Sequence, residues 1–180
     1  MDTSQITPEM LIEKLGLQPL VFEGGQFVRS YTAPDYFPAG ELGSAYPAEP
    51  RSYCSAIYFL LTDDPDSFST MHLLPTDEIY HFYLGDPVEM LLIRENGEGE
   101  RILLGQDLLN DQKVQFVAPA NVWQGSHLLP GGRFALLGTT MSPAFENSDF
   151  IEGDRESLTK LCPQQKDLIK ALTRRLTPAG

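Results

Sequence analysis

The chain has 180 residues, of which 42% are hydrophobic, so it is long enough to bury one full core as a single domain. Asp and Glu total 25 against 13 Lys and Arg, and the resulting net charge of −12 disfavours binding to nucleic acid or to anionic membranes. Because no secretory leader and no apolar run of about 20 residues is present, we expect a cytoplasmic protein without a membrane span.

The first predicted element is a short helix over Pro8 to Leu15. Thr7 suits the N-cap position, Pro8 suits the first helical turn, and Gly16 suits the end of the helix. These residues lie where a helix needs its start and stop signals, so the sequence predicts an N-terminal helix of about two turns.

Most of the remaining chain is predicted to form strands. Glu23-Gly24-Gly25 indicates a tight turn before the first of them. The predicted strands cover 26–31, 53–62, 68–74, 78–84, 88–94, 101–104, 114–117 and 133–141. Residues 32–50 are predicted to form a long ordered loop, and 154–161 and 164–172 two short helices. About eight or nine strands at close intervals favour a β-sandwich or β-barrel.

The stretch around the turn Pro75-Thr76-Asp77 has the residues of a site. The alternating segments on its two sides predict a hairpin, with His72 before the turn and Glu78 after it. A carboxylate beside an imidazole fixes its tautomer and raises its basicity, so His72 is a candidate general base and Glu78 its orienting partner. Tyr80 shares a strand face with Glu78 and is a candidate proton donor. The alternative is that His72 and Glu78 are hydrogen-bonded structural residues.

Two turns of the chain resemble the two cupin motifs. The first motif has the form His-x-His, three or four residues, Glu, six residues, Gly, and its positions are taken here by His72, Leu74, Glu78 and Gly85. The second has the form Pro-x-Gly, two residues, His, and its positions are taken by Pro119, Asn121 and Gln124. Asn121 tolerates the left-handed backbone that the Gly of the motif supplies.

Further runs of sequence resemble the cupin-5 branch, a former domain of unknown function. They include LGLQP, EGG, AIYFLL, DEIYHFYLGDP, PANVWQG and SPAFENSDF, and they extend from about residue 10 to 163. The resemblance implies an all-β cupin double-stranded β-helix, that is, a conical jelly-roll barrel with short N- and C-terminal helices. It implies one domain over 1–180, with the barrel at about 20–145 and terminal helices at about 8–15 and 154–172. It also implies a homodimer and a site in the barrel lumen.

The resemblance does not imply a settled cofactor. A cupin metal centre normally has three imidazoles and one carboxylate, whereas Leu74 and Gln124 stand here in two of the four places. We therefore expect no cofactor. Binding of a divalent metal stays an alternative, and His72, Glu78 and Gln124 would then be its ligands.

The favoured function is binding of a small molecule in the lumen, with metal-independent isomerase or epimerase chemistry on a sugar, a nucleotide sugar or another carbonyl compound. This chemistry is similar to that of cupin-fold epimerases of dTDP-4-keto-6-deoxy sugars. The alternatives are a metal-dependent cupin enzyme with an incomplete ligand set and a non-catalytic binding or storage-like protein. Whether the protein is an enzyme stays open.

Four further side chains are candidates for contacting the ligand. They are Arg29, as an anion contact, Tyr58, as a second proton donor, Trp123, as a stacking wall or a core residue, and Gln124. His81 has the opposite strand parity from Glu78 and is expected to face away from the lumen. His127 is expected at the surface.

Overall fold

Residues 5–174 are the part of the chain that the computed structural model describes, and they fold into two antiparallel β-sheets that face each other. Nine strands in this part have four or more residues: β2 (Gln26–Thr32), β5 (Ser55–Thr62), β6 (Phe68–Leu73), β7 (Glu78–Gly85), β8 (Val88–Ile93), β9 (Gly99–Leu104), β10 (Gln115–Ala118), β11 (Trp123–Leu128) and β12 (Phe134–Met141). Four more are two residues long: β1 (Gln18–Pro19), β3 (Tyr36–Phe37), β4 (Arg51–Ser52) and β13 (Ile151–Glu152). The predicted all-β class is confirmed.

The helices lie near the two ends of the chain. They are α1 (Pro8–Leu15), α2 (Arg155–Leu161) and α3 (Lys166–Ala171), with short 3-10 turns at Leu108–Asn110, Asn147–Asp149 and Pro163–Gln165. The predicted start of α1 is confirmed, since the Thr7 hydroxyl accepts from the amide of Met10 at 3.3 Å, and Gly16 ends the helix at φ 67°. Among the described residues no helix is both long and apolar enough to cross a membrane.

The first sheet has the strand order β1-β2-β5-β12-β7-β10, and the second has the order β13-β6-β11-β8-β9. The predicted hairpin between β6 and β7 is wrong, because these two strands belong to different sheets. Each already has a partner on both sides, so neither offers an open edge to the other. Residues 75–77 therefore carry the chain from one sheet to the other, and the site forms across the lumen.

The short strands β1 and β13 were not predicted, and neither were two further strand regions. The first is β11, which was expected to be only a corner followed by a loop, although it carries Gln124 and pairs with β6 and β8. The second is the pair β3 and β4, which forms a small separate sheet at the two ends of the long loop. Asn96-Gly97, a dipeptide typical of tight hairpin turns, joins β8 to β9.

The hydrophobic core has three parts. The largest fills the lumen between the sheets and includes Phe59, Leu61, Phe82, Val88, Met90, Leu92, Leu104, Leu128 and Leu137. The other two lie on the outer faces: α1 covers the first sheet over Leu60, Phe134 and Leu136, and α2 with α3 covers the second sheet over Met71, Leu91 and Ile93. Because β8 is covered on both sides from Met90 onwards, residues 90–93 form a continuous apolar run and not an alternating one.

Candidate functional site

A cavity of about 470 Å3 opens into one end of the lumen. Its walls are mainly apolar and include Leu20, Phe22, Phe27, Ile57, Leu74 and Met141. Charged side chains also line it, namely Glu23, Arg29 and Glu78. A mostly apolar cavity with a few converging polar groups is the usual form of a small-molecule site.

The carboxylate of Glu78 is the polar group around which the inner end of the cavity is built. Glu78 is the first residue of β7, and its Oε2 accepts a hydrogen bond from the Tyr80 hydroxyl at 3.1 Å. The same oxygen accepts from the side-chain amide of Gln124 at 2.9 Å. Tyr80 comes from the same strand two residues later, and Gln124 comes from the facing sheet. The carboxylate thus joins the two sheets across the lumen.

His72 lies next to this carboxylate but does not line the cavity. Its Nδ1 is 2.8 Å from the carbonyl oxygen of Thr70, and its Nε2 is 3.9 Å from Glu78 Oε2. The ring of Phe150 stacks on the imidazole with 4.9 Å between centroids, and only 1% of His72 is exposed. The Thr70 carbonyl requires a proton on Nδ1, so Nε2 is the nitrogen that faces Glu78.

The electrostatics of this cluster favour a positive His72 and a neutral Tyr80. Burial by itself lowers the pKa of His72, but the negative charges of Glu23 and Glu78 outweigh burial and raise the pKa above its ordinary value. Burial, with the nearby charges of Glu78 and Glu23, raises the pKa of Tyr80 well above its ordinary value. Tyr80 is therefore a hydrogen-bond donor to Glu78 at neutral pH.

Three phenylalanines form a cover beside the site. Phe22 is in the turn between β1 and β2, whereas Phe145 and Phe150 follow β12. Phe22 stacks with Phe145 at 6.3 Å and meets Phe150 edge-on at 5.0 Å. Since Phe150 also stacks on His72, this aromatic cover is what separates the imidazole from solvent.

Arg29 lies at the outer end of the cavity. It is exposed, and its guanidinium donates to the carbonyl oxygen of Phe145 at 3.1 Å. The segment that contains Phe145 is held by a buried ion pair between Arg51 and Asp149 at 2.5 Å. Arg29 is thus attached to an anchored wall at the cavity mouth.

The structure brings His72, Glu78, Tyr80 and Gln124 together but separates Tyr58 and Trp123 from them. Tyr58 packs in the core cluster under α1, on the outer face of the first sheet. Trp123 packs against the cluster under α2 and α3, on the outer face of the second sheet. In both cases the side chain has the opposite strand parity from the lumen-facing residues, so the expected ligand contact of Tyr58 and the stacking-wall role of Trp123 do not fit the structure.

The other two histidines also lie outside the lumen. His81 faces the outer side of the first sheet, where its ring contacts Tyr83 and the Thr140 hydroxyl, 3.3 Å from its Nε2. His127 is 3.2 Å from Glu89 on the outer side of the second sheet. Both placements agree with the sequence prediction.

The two turns that resemble the cupin motifs meet beside the cavity. The amide of Asn121 donates to the carbonyl of Leu74 at 2.8 Å, and the amide of Ala120 donates to the Asp77 carboxylate at 2.7 Å. Asn121 has φ 59°, so it adopts the left-handed backbone that the sequence predicted.

The donor atoms around His72 do not fit a resident transition metal. Leu74 contributes an apolar side chain to the cavity, and Gln124 directs its amide N–H group at Glu78. Within residues 5–174, no group of three or more His, Cys, Asp and Glu side chains is arranged to hold a metal ion. A metal centre on His72, Glu78 and Gln124 would need these side chains to leave their present hydrogen bonds, so no step is derived through a metal.

Sequence reasoning missed Glu23. Its Oε1 accepts from the Ser69 hydroxyl at 2.6 Å, and its charge acts on both His72 and Glu78. The available signal was the EGG turn itself, which was interpreted only as a change of chain direction. Phe150 was missed as well, because the segment after β12 has no strand pattern that would place it over the lumen.

The barrel, the lumen site and the two meeting turns define a cupin. The chain belongs to the family described as Cupin superfamily (DUF985), whose model matches residues 9–151.

Two solved structures are similar over nearly the whole chain. Protein SO0799 from Shewanella oneidensis is 31% identical with a TM-score of 0.81, and the match covers 94% of this chain and 98% of that one. A hypothetical protein from Leishmania major is 25% identical, also with a TM-score of 0.81, and the match covers 94% and 100% of the two chains. These names state no activity, so the function has to be argued from the site.

A curated relative is the uncharacterized protein YML079W of Saccharomyces cerevisiae, which is 29% identical over 111 residues. The match covers 59% of this chain and 54% of that protein, so the chain spans about half the length of this relative. The L-ribose isomerase of Cellulomonas parahominis, with 12% identity, a TM-score of 0.52 and coverage of 71% and 68%, shares the fold alone.

Proposed function

We propose that this protein binds a small carbonyl compound in the barrel lumen and moves a proton next to the carbonyl group without a metal. The observation that carries the proposal is the position of Glu78, whose carboxylate lies at the inner end of a mainly apolar cavity of about 470 Å3. A sugar or a related carbonyl compound is the substrate class, and Arg29 would donate hydrogen bonds to an oxygen of such a ligand at the cavity mouth.

The geometry assigns the roles differently from the sequence prediction. Glu78 lines the cavity, whereas His72 is covered by Phe150 and has only 1% of its surface exposed. Glu78 is therefore the better general base, and His72, whose pKa is raised by the neighbouring carboxylates, supports its carboxylate from behind. Tyr80 and Gln124 hold the same oxygen in place.

The proposed step is balanced within the substrate and Glu78. The carboxylate takes the proton from the carbon next to the carbonyl, and the electrons of the broken C–H bond form an enolate. Glu78 then returns the proton to the former carbonyl carbon, while the hydroxyl proton moves to the neighbouring oxygen, so that an aldose becomes a ketose or the reverse. A positioned carboxylic acid or base contributes roughly 10²–10⁴-fold to such a transfer.

Deuterium exchange tests the proposal without knowledge of the physiological substrate. Aldoses, ketoses and keto sugars are incubated with the protein in D2O, and NMR follows exchange at the carbon next to the carbonyl. We expect exchange in at least one compound, with a loss of roughly 100-fold or more in Glu78→Gln. Glu89→Gln, on the outer face of β8, is the matched control and should keep full exchange. Exchange that survives in Glu78→Gln would remove Glu78 from the mechanism.

A second candidate is a non-catalytic binding protein. It is favoured by the seclusion of His72 and Tyr80, which are 1% and 3% exposed and do not line the cavity. The same NMR samples separate the two candidates, since a binding protein would retain a ligand in the lumen and leave its C–H protons unexchanged.

We also propose that the protein is a cytoplasmic homodimer. Tyr83 and Val117 are 42% and 44% exposed on the outer face of the first sheet, on the neighbouring strands β7 and β10. Cys54 and Cys162 are free thiols, as expected in a reducing compartment. Light scattering should give twice the chain mass of 20.0 kDa, and a monomer would contradict the dimer.

A further inference from the structure

Glu23 is held rigidly at the wall of the cavity by both its backbone and its side chain. Its carbonyl oxygen accepts from the amide of Thr70 at 2.9 Å, and its Oε1 accepts from the Ser69 hydroxyl at 2.6 Å. The next residue, Gly24, has φ 115°, and a Cβ at this position would collide with the carbonyl oxygen of Phe68. The EGG turn therefore packs directly on β6, and it directs the Glu23 carboxylate to the lumen side.

The same residue of β6 positions Glu23 and His72. The amide of Thr70 binds the Glu23 backbone at 2.9 Å, and its carbonyl oxygen binds His72 Nδ1 at 2.8 Å. Thr70 lies at an irregularity where β6 has one residue more than β11 between two paired positions. This bulge lets Ser69 and His72 both face the lumen, so Glu23 and Glu78 approach the imidazole from two directions.

Each of the two carboxylates has one oxygen held by the protein and one oxygen left over. Glu23 Oε1 and Glu78 Oε2 accept the hydrogen bonds described above. Within the described residues, Glu23 Oε2 and Glu78 Oε1 have no such hydrogen bond, and both residues line the cavity. Two acceptor oxygens that face one cavity match a ligand with two hydrogen-bond donors.

Gln124 gives independent evidence that the site needs a donor. Only 2% of this residue is exposed, its amide nitrogen binds Glu78, and its Oε1 has no hydrogen-bond donor among the described residues. A buried acceptor without a donor costs free energy, so a further O–H or N–H group beside Gln124 would stabilise this end of the lumen.

The charges around the cavity are balanced. Two carboxylates, Glu23 and Glu78, are matched by the imidazole of His72 and the guanidinium of Arg29. Burial raises the pKa of Glu23, and the neighbouring Glu78 acts in the same direction, so this carboxyl retains a proton more readily than an ordinary Glu. An ammonium group would meet Arg29 at the cavity mouth, and an anionic group at the inner end would meet the two carboxylates.

We propose that Glu23 is a second ligand-contacting carboxylate, and that Glu23 and Glu78 together select an uncharged ligand with neighbouring hydroxyl groups, such as a polyhydroxy aldehyde or ketone. This inference rests on the proposed function, because it names the substrate class of the same lumen site. It adds a residue and a charge preference that proton transfer by Glu78 does not require.

Three matched series of compounds test the inference: neutral aldoses and ketoses, the corresponding amino sugars, and the corresponding uronic acids. Saturation-transfer NMR on the full chain detects binding, and titration gives the affinities. We expect the neutral series to bind more tightly than its charged counterparts. Glu23→Gln should weaken binding of the best neutral compound roughly tenfold or more, which is the loss of one charge-assisted hydrogen bond.

The variants separate binding from folding. Glu23→Gln keeps an acceptor for the Ser69 hydroxyl, so the turn should stay in place, and an unchanged circular dichroism spectrum checks this. Ser69→Ala keeps the Glu23 carboxylate but removes the hydrogen bond that holds it. This variant should weaken binding by a smaller factor than Glu23→Gln does. Glu89→Gln, a partly buried Glu on the outer face of β8, should bind the neutral series as the parent does.

The outcomes distinguish the inference from the proposed function. Tighter binding of an amino sugar or a uronic acid, or unchanged binding in Glu23→Gln together with loss in Glu78→Gln, overturns the inference and leaves the lumen site intact. Failure of all three series to bind overturns the proposed function and the inference with it.

Discussion

The two ends of the lumen differ in polarity although the same strands form both. Along β7 the inward residues change from Glu78 through Tyr80 to Phe82, and along β11 they change from Gln124 through Ser126 to Leu128. At the polar end, the buried groups are paired with the facing sheet or with their own strand, except for Gln124 Oε1, which has no donor among the described residues. The apolar end relies on packing alone. The hydrogen-bonded polar residues of the lumen are thus concentrated at one end, around the carboxylates of Glu78 and Glu23.

The largest expected effect comes from weakening the apolar end. Leu104 is fully buried in the lumen core, and Leu104→Ala should lower the free energy of unfolding by about 2–5 kcal/mol through lost burial and an unfilled cavity. Denaturant unfolding measures this loss. Leu109→Ala, at a residue that is 96% exposed, is the control and should change stability by less than about 0.5 kcal/mol. A loss below about 1 kcal/mol in Leu104→Ala would show that the apolar end is loosely packed.

The features that the sequence predicted correctly are those that depend on neighbouring residues in the chain. The cap at Thr7, the end of α1 at Gly16 and the left-handed Asn121 each depend on a few adjacent residues, and all three agree with the structure. The alternation of β7 also placed Glu78 and Tyr80 on one face and His81 on the other. Such features need no knowledge of which strand lies beside which.

Long-range pairing is what the sequence could not supply. The turn at 75–77 is short enough for a hairpin, yet β6 pairs with strands more than 40 residues further along the chain. Gly125 and Ser126 are poor strand formers, so β11 had no clear strand signal. Glu23 was missed for the same reason, since its partner Ser69 is 46 residues away and an EGG turn by itself predicts only backbone geometry.

The polar end should weaken as the pH rises through the titration of His72. Because the folded-state pKa of His72 is raised above its ordinary value of 6.5, the stability it contributes is fully present below pH 6.5 and is lost as the pH rises through the raised value. One such group changes the free energy of unfolding by at most about 1.4 kcal/mol per pH unit.

Two measurements check the pH dependence. NMR titration of the His72 ring should give a midpoint above pH 6.5, and denaturant unfolding of the parent should show falling stability over the same interval. Glu23→Gln removes one of the two negative charges that raise this pKa, so its midpoint should move down towards the ordinary value. A midpoint below 6.5 in the parent would mean that burial outweighs the two carboxylates.

The smallest expected effect on stability comes from replacing a polar residue at the polar end with an apolar one. Gln124→Leu removes one of the hydrogen bonds to Glu78, but it also removes the buried Oε1 that has no donor in the described residues. The two effects oppose each other, so the free energy of unfolding should change by less than about 1 kcal/mol.

Gln124→Glu is the informative contrast, because it keeps the shape and places a further carboxyl group beside Glu78. Gln124→Glu should cost more stability than Gln124→Leu at pH 8. The cost of Gln124→Glu should be smaller at pH 5 than at pH 8, because a carboxyl group beside Glu78 is more readily protonated at the lower pH. Denaturant unfolding of both variants at the two pH values measures the difference. Should Gln124→Leu cost more than about 2 kcal/mol, the Oε1 would have to be satisfied by a donor such as bound water, and the polar end would be complete without a ligand. A small cost would agree with a Gln124 Oε1 that has no donor among the described residues, which is the condition under which a ligand hydroxyl gains most by entering the site.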